Sequence, residues 1–276
     1  MGPRKPSKEI SGAKARQLWN QYGFKHPREL DCDVLAFALG LLVIEDKLDT
    51  ADARLVTDGT KGIIRVNQGI IEPGRKRFAV AHEVGHWLLH RSISQLLACT
   101  SDDMADKYKG SVEEIEANIF AAELLMPSAL ISSVLAKNTL NKKLIETLAL
   151  ECLTSFTATA LRCVDLSEDC CAVVFSENGR IRWWRGSCSF EEHFWIVAGQ
   201  PIPNGTASSK AKLATKSNLV IKEEVARELW VEPRTDYGKD DNEDGDDCEN
   251  EMPDYFIEEA FADTKYGRVV SILFMP

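Results

Sequence analysis

The stretch RKRFAVAHEVGHWLLH, residues 75–90, decides how the chain is read. It has no internal proline, and its apolar side chains at 78, 81, 84 and 88 return at helical spacing, so the pattern predicts a helix. Inside it, His82-Glu83-Val84-Gly85-His86 forms an HExxH pattern. Positions i and i+4 of a helix differ by about 40° and one turn of rise, so both imidazoles point the same way. Two nitrogen ligands need that placement to hold one Zn2+. Glu83 is turned about 100° from His82, near enough to reach a metal-bound water without ligating the ion, where a carboxylate acts as general base. Phe78, Ala81, Leu88 and Leu89 flank the pattern, and three of the chain's five histidines fall within 82–90. Both facts argue against a chance pair of surface histidines.

The third ligand has to come from elsewhere. A metzincin would carry Gly and His further along the same segment, but Leu89 and Ser92 stand in those places. A second helix is predicted from Val112 to Met126, stopped by Pro127, and EEIEANIFAAELLMP (113–127) offers Glu113, Glu114, Glu116 and Glu123. Ala117, Ala121, Leu124 and Leu125 mark its core face, and Glu114 projects within about 60° of Ala117 on that side. Glu113 lies on the flank and competes for the same role. Glu116 and Glu123 project roughly opposite and are expected in solvent. Asn118, four residues after Glu114, is placed to support the ligands. Tyr108, His90 and His193 are candidates for stabilising an oxyanion, and Arg77 reads as a packing or capping charge.

Outward from this pair, residues 1–10 read as a solvated tail, succeeded by helical patterns at 13–22 and 33–39, the second closing on Gly40. LLVIE (41–45) and GIIRVN (62–67) read as strands, with Asp58-Gly59 as a turn, and Pro73-Gly74 breaks the chain before the HExxH helix. GIIRVN is either an open edge for pairing with an extended peptide or an interior strand. Residues 91–111 read as a polar connector, and 129–165 as two or three short helices. CAVVFSE, Asn178-Gly179 and RIRWWRG form a hairpin signal, and GRVVSILFM (267–275) a closing strand.

Composition excludes several function classes. The net charge is 33 − 43 = −10, and residues 240–251 alone hold eight carboxylates and no base. Direct nucleic-acid binding through a broad basic face is therefore not expected, and 142–165, with Glu146, Glu151 and Asp165 among its bases, is not a basic face either. No run approaches the roughly 18 apolar residues of a membrane span, and no apolar stretch succeeds the basic start as a secretory signal would require. Eight cysteines without a CxxC pair read as reduced, mostly buried thiols of a cytoplasmic protein. Asp240-x-Asn242-x-Asp244-Gly245 with Glu251 matches a calcium-loop spacing, but Asp247 and Pro253 suit a self-repelling acidic loop better.

RFAVAHEVGHWLLH with EIEANIFAAELLMP after it resembles the paired signature of the ImmA/IrrE family of zinc metallopeptidases. DVLAFALGLLVI and KGIIRVN fit its N-terminal part, and TSFTATALRCVDLSEDCCAVVFSENGRIRWWR (154–185) is similar to the region beyond the peptidase core in longer members. The resemblance spans roughly 13–205. It implies an α+β protein: a zincin-like metallopeptidase domain (11–135), a small helical, helix-turn-helix-like segment (136–168), and a GAF-like α/β domain (169–276) with an acidic loop at 236–253. It implies one Zn2+ on His82, His86 and Glu114, with Glu83 as general base. The implied activity is cytoplasmic cleavage of a helix-turn-helix repressor, relieving a stress, prophage or mobile-element response. A small-molecule signal at the C-terminal domain is also implied. The alternative is a non-catalytic, zinc-containing sensor that binds a repressor or DNA.

Overall fold

The computed structural model describes residues 5–90, 98–100, 111–214, 219–233, 252–263 and 266–276. The chain forms two compact units, one from residues 1–131 and 146–159, the other from 132–145 and 160–276. Among the described residues no single helix is long and apolar enough to cross a membrane.

The first unit opens with α1 (Lys8–Tyr22), which ends on Gly23 in the left-handed region, φ 72°. It starts earlier than the expected tail allows. The Ser7 hydroxyl accepts from the Ile10 amide, and the Ser7 amide donates to Glu116 Oε1 at 2.9 Å, so residues 8–10 become the first turn. After a 3-10 turn at Pro27–Glu29, Asp31 caps α2 (Cys32–Ala38), and Gly40 at φ 85° turns the chain into β1 (Leu41–Asp46). β2 (Ala51–Thr57) and β3 (Gly62–Asn67) come next, then α3 (Pro73–His90), β4 (Ala98–Thr100) and α4 (Val112–Leu125).

Pro73 and Gly74 do not break the chain; they are the first two residues of α3. Proline lacks only an amide that would be unsatisfied there, and the Glu72 carboxylate takes the next two, from Gly74 at 3.0 Å and Arg75 at 2.7 Å. A side chain at Gly74 would stand 2.6 Å from the Thr154 carbonyl carbon, so glycine lets the 154–155 turn sit against the helix start.

The sheet order is β1-β3-β2-β4, with β1 and β3 parallel and the other pairs antiparallel. GIIRVN is therefore interior, hydrogen-bonded on both sides, and offers no open edge. One face of the sheet supplies Leu41, Ala53, Leu55, Ile64 and Val66 to a core shared with α3, all at most 3% exposed.

The chain continues through α5 (Ser128–Leu135), α6 (Lys142–Cys152) and α7 (Phe156–Leu166), with α6 and α7 meeting at a 109° bend. The second unit continues with β5 (Cys171–Glu177) and β6 (Arg180–Gly186), joined by Asn178 at φ 53° and Gly179 at φ 77°. Both turn residues are left-handed, as a two-residue hairpin requires. Next come α8 (Cys188–His193), β7 (Phe194–Trp195), α9 (Ala207–Leu213), β8 (Val220–Ala226), β9 (Glu232–Pro233), β10 (Tyr255–Asp263) and β11 (Arg268–Phe274). The main sheet is antiparallel, ordered β6-β5-β11-β10-β8, and β7 pairs with β9. Phe190, Phe194, Phe256, Trp230 and Leu273 fill one end of its core. Tyr108 and the acidic run 240–251 lie outside the described residues.

Candidate metal centre

α3 and α4 pack closely, and Gly85, the glycine of the HExxH pattern, lies at their contact. A Cβ there would lie 3.0 Å from Phe120 Cδ1, 3.2 Å from Ala117 Cα and 3.3 Å from Ala117 O. Hydrogen at that position lets the two backbones approach until side chains of both helices share one point. Ser111 starts α4 by accepting from the Glu114 amide at 3.4 Å, which sets Glu114 in the first turn.

His82, His86 and Glu114 meet there, and all three are buried. The two Nε2 atoms are 3.0 Å apart, and each lies 3.2 Å from a Glu114 carboxylate oxygen. Donors of a tetrahedral site with bonds of about 2.0–2.1 Å stand about 3.3 Å apart, so this triangle has the size an ion needs. Two imidazoles and a carboxylate are also a donor set suited to a divalent transition metal. His82 Nδ1 lies 2.9 Å from Asn118 Oδ1, so Nδ1 carries a proton, and the neutral ring offers its Nε2 lone pair to the shared point.

Protonation fits the same use. Burial pulls His86 down to about 4, against the pull of Glu114, so its imidazole is neutral at pH 7. Burial opposes the charge on Glu114, but the hydrogen bonds from His82 and His86 outweigh it and hold the carboxyl well below the usual range. Burial lowers His82, yet Glu114, Glu83 and Asn118 together raise it. The negative field that draws a proton onto His82 would draw a divalent cation to the same donors, with the proton released. The group could therefore bind a metal ion. Glu83 is fully buried beside it on α3.

Residues 36–162 match the model of the Peptidase_M78 family, described as the IrrE N-terminal-like domain. The matched segment is thus similar to an IrrE N-terminal-like domain. A solved structure described as a Mycobacterium tuberculosis transcriptional regulator is similar in fold, with TM-score 0.57 and 14% identity over 97% of this chain and 77% of that one. Comparison with curated protein sequences finds no match.

The remaining candidates separate clearly. Glu113 is half-buried and outside the donor group. Glu116 and Glu123, expected in solvent, are both 4% exposed. α1 covers that side of α4. Glu116 accepts from the Ser7 amide and lies 3.4 Å from His90 Nε2, while Glu123 accepts from Arg16 at 3.2 Å and from the Ser128 hydroxyl at 2.9 Å. His90 is thus held against a carboxylate one turn beyond His86. His193 belongs to the other unit, where its Nδ1 lies 2.8 Å from the Ser189 carbonyl of its own helix. Arg77 is a capping charge: its guanidinium donates to the carbonyls of Cys152 at 2.6 Å, Pro27 at 2.9 Å and Leu30 at 2.6 Å.

Proposed function

We propose that the chain is a zinc-dependent metalloendopeptidase that hydrolyses a peptide bond in a helix-turn-helix repressor, and so relieves repression. The observation that carries the reading is the convergence of the two Nε2 atoms and the Glu114 carboxylate at ion-binding spacing, with Glu83 buried beside them. The match of residues 36–162 to a peptidase family supports it. In this reading His82, His86 and Glu114 hold one Zn2+. The ion would supply a Lewis acid for the scissile carbonyl and acidify a water. Asn118 fixes the His82 ring, burial keeps His86 neutral, and the Glu83 carboxylate takes the proton of the attacking water and returns it to the leaving amine.

The wider organisation is proposed on the same basis: a peptidase domain at 11–135, a helix-turn-helix-like segment at 136–168, and a GAF-like domain at 169–276. The 109° bend between α6 and α7 across three residues supports the middle assignment. The five-stranded antiparallel sheet with helices packed on it supports the last. A second reading, a non-catalytic regulator that binds a repressor or DNA, is favoured by the fold it shares with a transcriptional regulator.

Glu83→Gln separates the two. Metal content by mass spectrometry should remain near one ion per chain, and cleavage of a co-expressed helix-turn-helix repressor that the wild type cleaves should stop. A regulator would show no cleavage in the wild type and unchanged repressor binding in the variant. Failure of the wild type to retain any divalent metal would overturn both the zinc assignment and the hydrolytic reading.

A further inference from the structure

The first unit holds a cavity of about 370 Å3 where the start of α2, the strand β1 and the first turns of α3 come together. Its floor is apolar: Leu30, Cys32, Val66 and Val80 line it, each at most 5% exposed, with the half-buried Val43 beside them. A cleft of this size, with an apolar lining and a few polar groups, is the usual form of a small-molecule site. One wall rests on an unusual backbone. Leu153, directly after α6, has φ 52°, and the Thr154 amide donates to the Ala149 carbonyl across it, a helix ending that normally uses glycine. That conformation is strained for any side chain. The leucine side chain nevertheless lines the cavity and is still 42% exposed. Glycine would remove the strain and the wall together.

The mouth is charged, and its bases are already engaged. Lys76 Nζ lies 2.6 Å from Glu45, and Arg28 donates to the Leu150 carbonyl at 3.1 Å and to Glu151 at 3.4 Å. Arg77 is spent on the carbonyls of Cys152, Pro27 and Leu30. Of the acids, Asp31 caps α2 by accepting from the Asp33 and Val34 amides. Asp33 stands at the mouth with no hydrogen bond or ion pair to its carboxylate among the described residues. Burial pushes this carboxyl up, and Asp31 and Glu45 push the same way against the pull of Lys76. A carboxylate whose surroundings resist its charge gains from a cation placed beside it.

We infer that this cavity binds a small amphipathic cation, its apolar body on Leu30, Cys32, Val66 and Val80 and its protonated amine on Asp33. An anion finds no unengaged base there, because Arg28, Lys76 and Arg77 are all taken. A neutral molecule of the same shape keeps the apolar contacts and loses the charge-assisted bond. The cavity is lined from the first unit alone, and the inference stands whatever chemistry the HExxH group performs.

Methyl NMR of the full chain titrated with 2-phenylethylamine tests it, with 2-phenylethanol and phenylacetate as neutral and anionic molecules of the same body. The amine should shift the methyls of Val43, Val66, Val80 and Leu153. It should bind about ten-fold tighter than the alcohol, the gain of one charge-assisted hydrogen bond, and phenylacetate should bind less well than either. Asp33→Asn alters an exposed residue, so the fold is not at stake, and it should bring the amine down to the affinity of the alcohol. Val43→Phe fills the cavity and should weaken amine and alcohol alike. The inference is overturned if those methyls do not move with the amine, if phenylacetate binds as tightly, if Asp33→Asn keeps the advantage of the amine, or if Val43→Phe binds it like the wild type. Amine that moves only resonances outside the first unit, as attraction to the acidic run 240–251 would do, equally overturns it.

Discussion

Replacing Gly85 with alanine adds one methyl where α3 and α4 touch. The new Cβ would lie 3.0 Å from Phe120 Cδ1 and 3.2 and 3.3 Å from two backbone atoms of Ala117, inside the roughly 3.5–4.0 Å of ordinary carbon contact. Alanine gains about 0.8–1.0 kcal/mol over glycine inside a helix. Overpacking costs about 1–3 kcal/mol, because backbone atoms cannot rotate away. The net loss is expected to be about 0–2 kcal/mol, measured by urea unfolding of metal-free protein. The larger effect falls on the donors, since His82 and His86 ride on α3 and Glu114 on α4. Separating the helices by a few tenths of an ångström stretches the 3.2 Å edges of the triangle. Zn2+ affinity, measured by competition with a chromophoric chelator, should fall about ten-fold or more, as when supporting groups of a metal site are disturbed. Adding Phe120→Leu should not restore it, because Ala117 provides two of the three close contacts. A Gly85→Ala protein more stable by the full propensity gain, with unchanged affinity, would refute the reasoning.

Other parts of the molecule give three further expected outcomes. Glu123→Ala removes a buried acceptor from Arg16 and Ser128 and should lower stability by about 1–3 kcal/mol in urea unfolding, whereas a solvated residue would cost almost nothing. Asp58 accepts from the amides of Lys61 and Thr60 and from the Thr60 hydroxyl, and these bonds pull its carboxyl from 3.8 to about 2. Its folded value lies below its unfolded one, so its contribution is complete above pH 3.8 and is lost as pH falls toward about 2. A side-chain NMR titration with a midpoint near 3.8 would contradict this. Alkylation of the native protein should mark Cys188, which is exposed, and spare Cys32 and Cys171, whose thiols burial pushes up to about 12 and about 11; peptide mapping reads the difference.

The juxtaposition of His82, His86 and Glu114 is legible in the sequence because a helix repeats its geometry: His82 and His86 must share a face, and the alanines of α4 mark which glutamate meets them. The Asn178-Gly179 hairpin is legible for a similar reason, since few residue pairs tolerate two left-handed positions in a row. Helical projection fails for Glu116 and Glu123 because it sorts one core face from one solvent face, and α4 has neighbours on both sides. The clue lies in α1, where Ser11, Gly12 and Ala15 make a surface small enough to cover a second helix. Strand order is not readable either. GIIRVN alternates as an edge or an interior strand would, and only the insertion of β3 between β1 and β2 decides.

Arg77 joins the HExxH helix to a distant part of the chain. Its guanidinium reaches the end of α6 as well as the turn before α2, and Gly74 sits against residues 154 and 155. A fragment cut at residue 135 would strand that cation without its acceptor at Cys152 and expose the start of the histidine-bearing helix. A recombinant version of the first unit that ends at residue 135 should therefore be less stable than one that runs through residue 159.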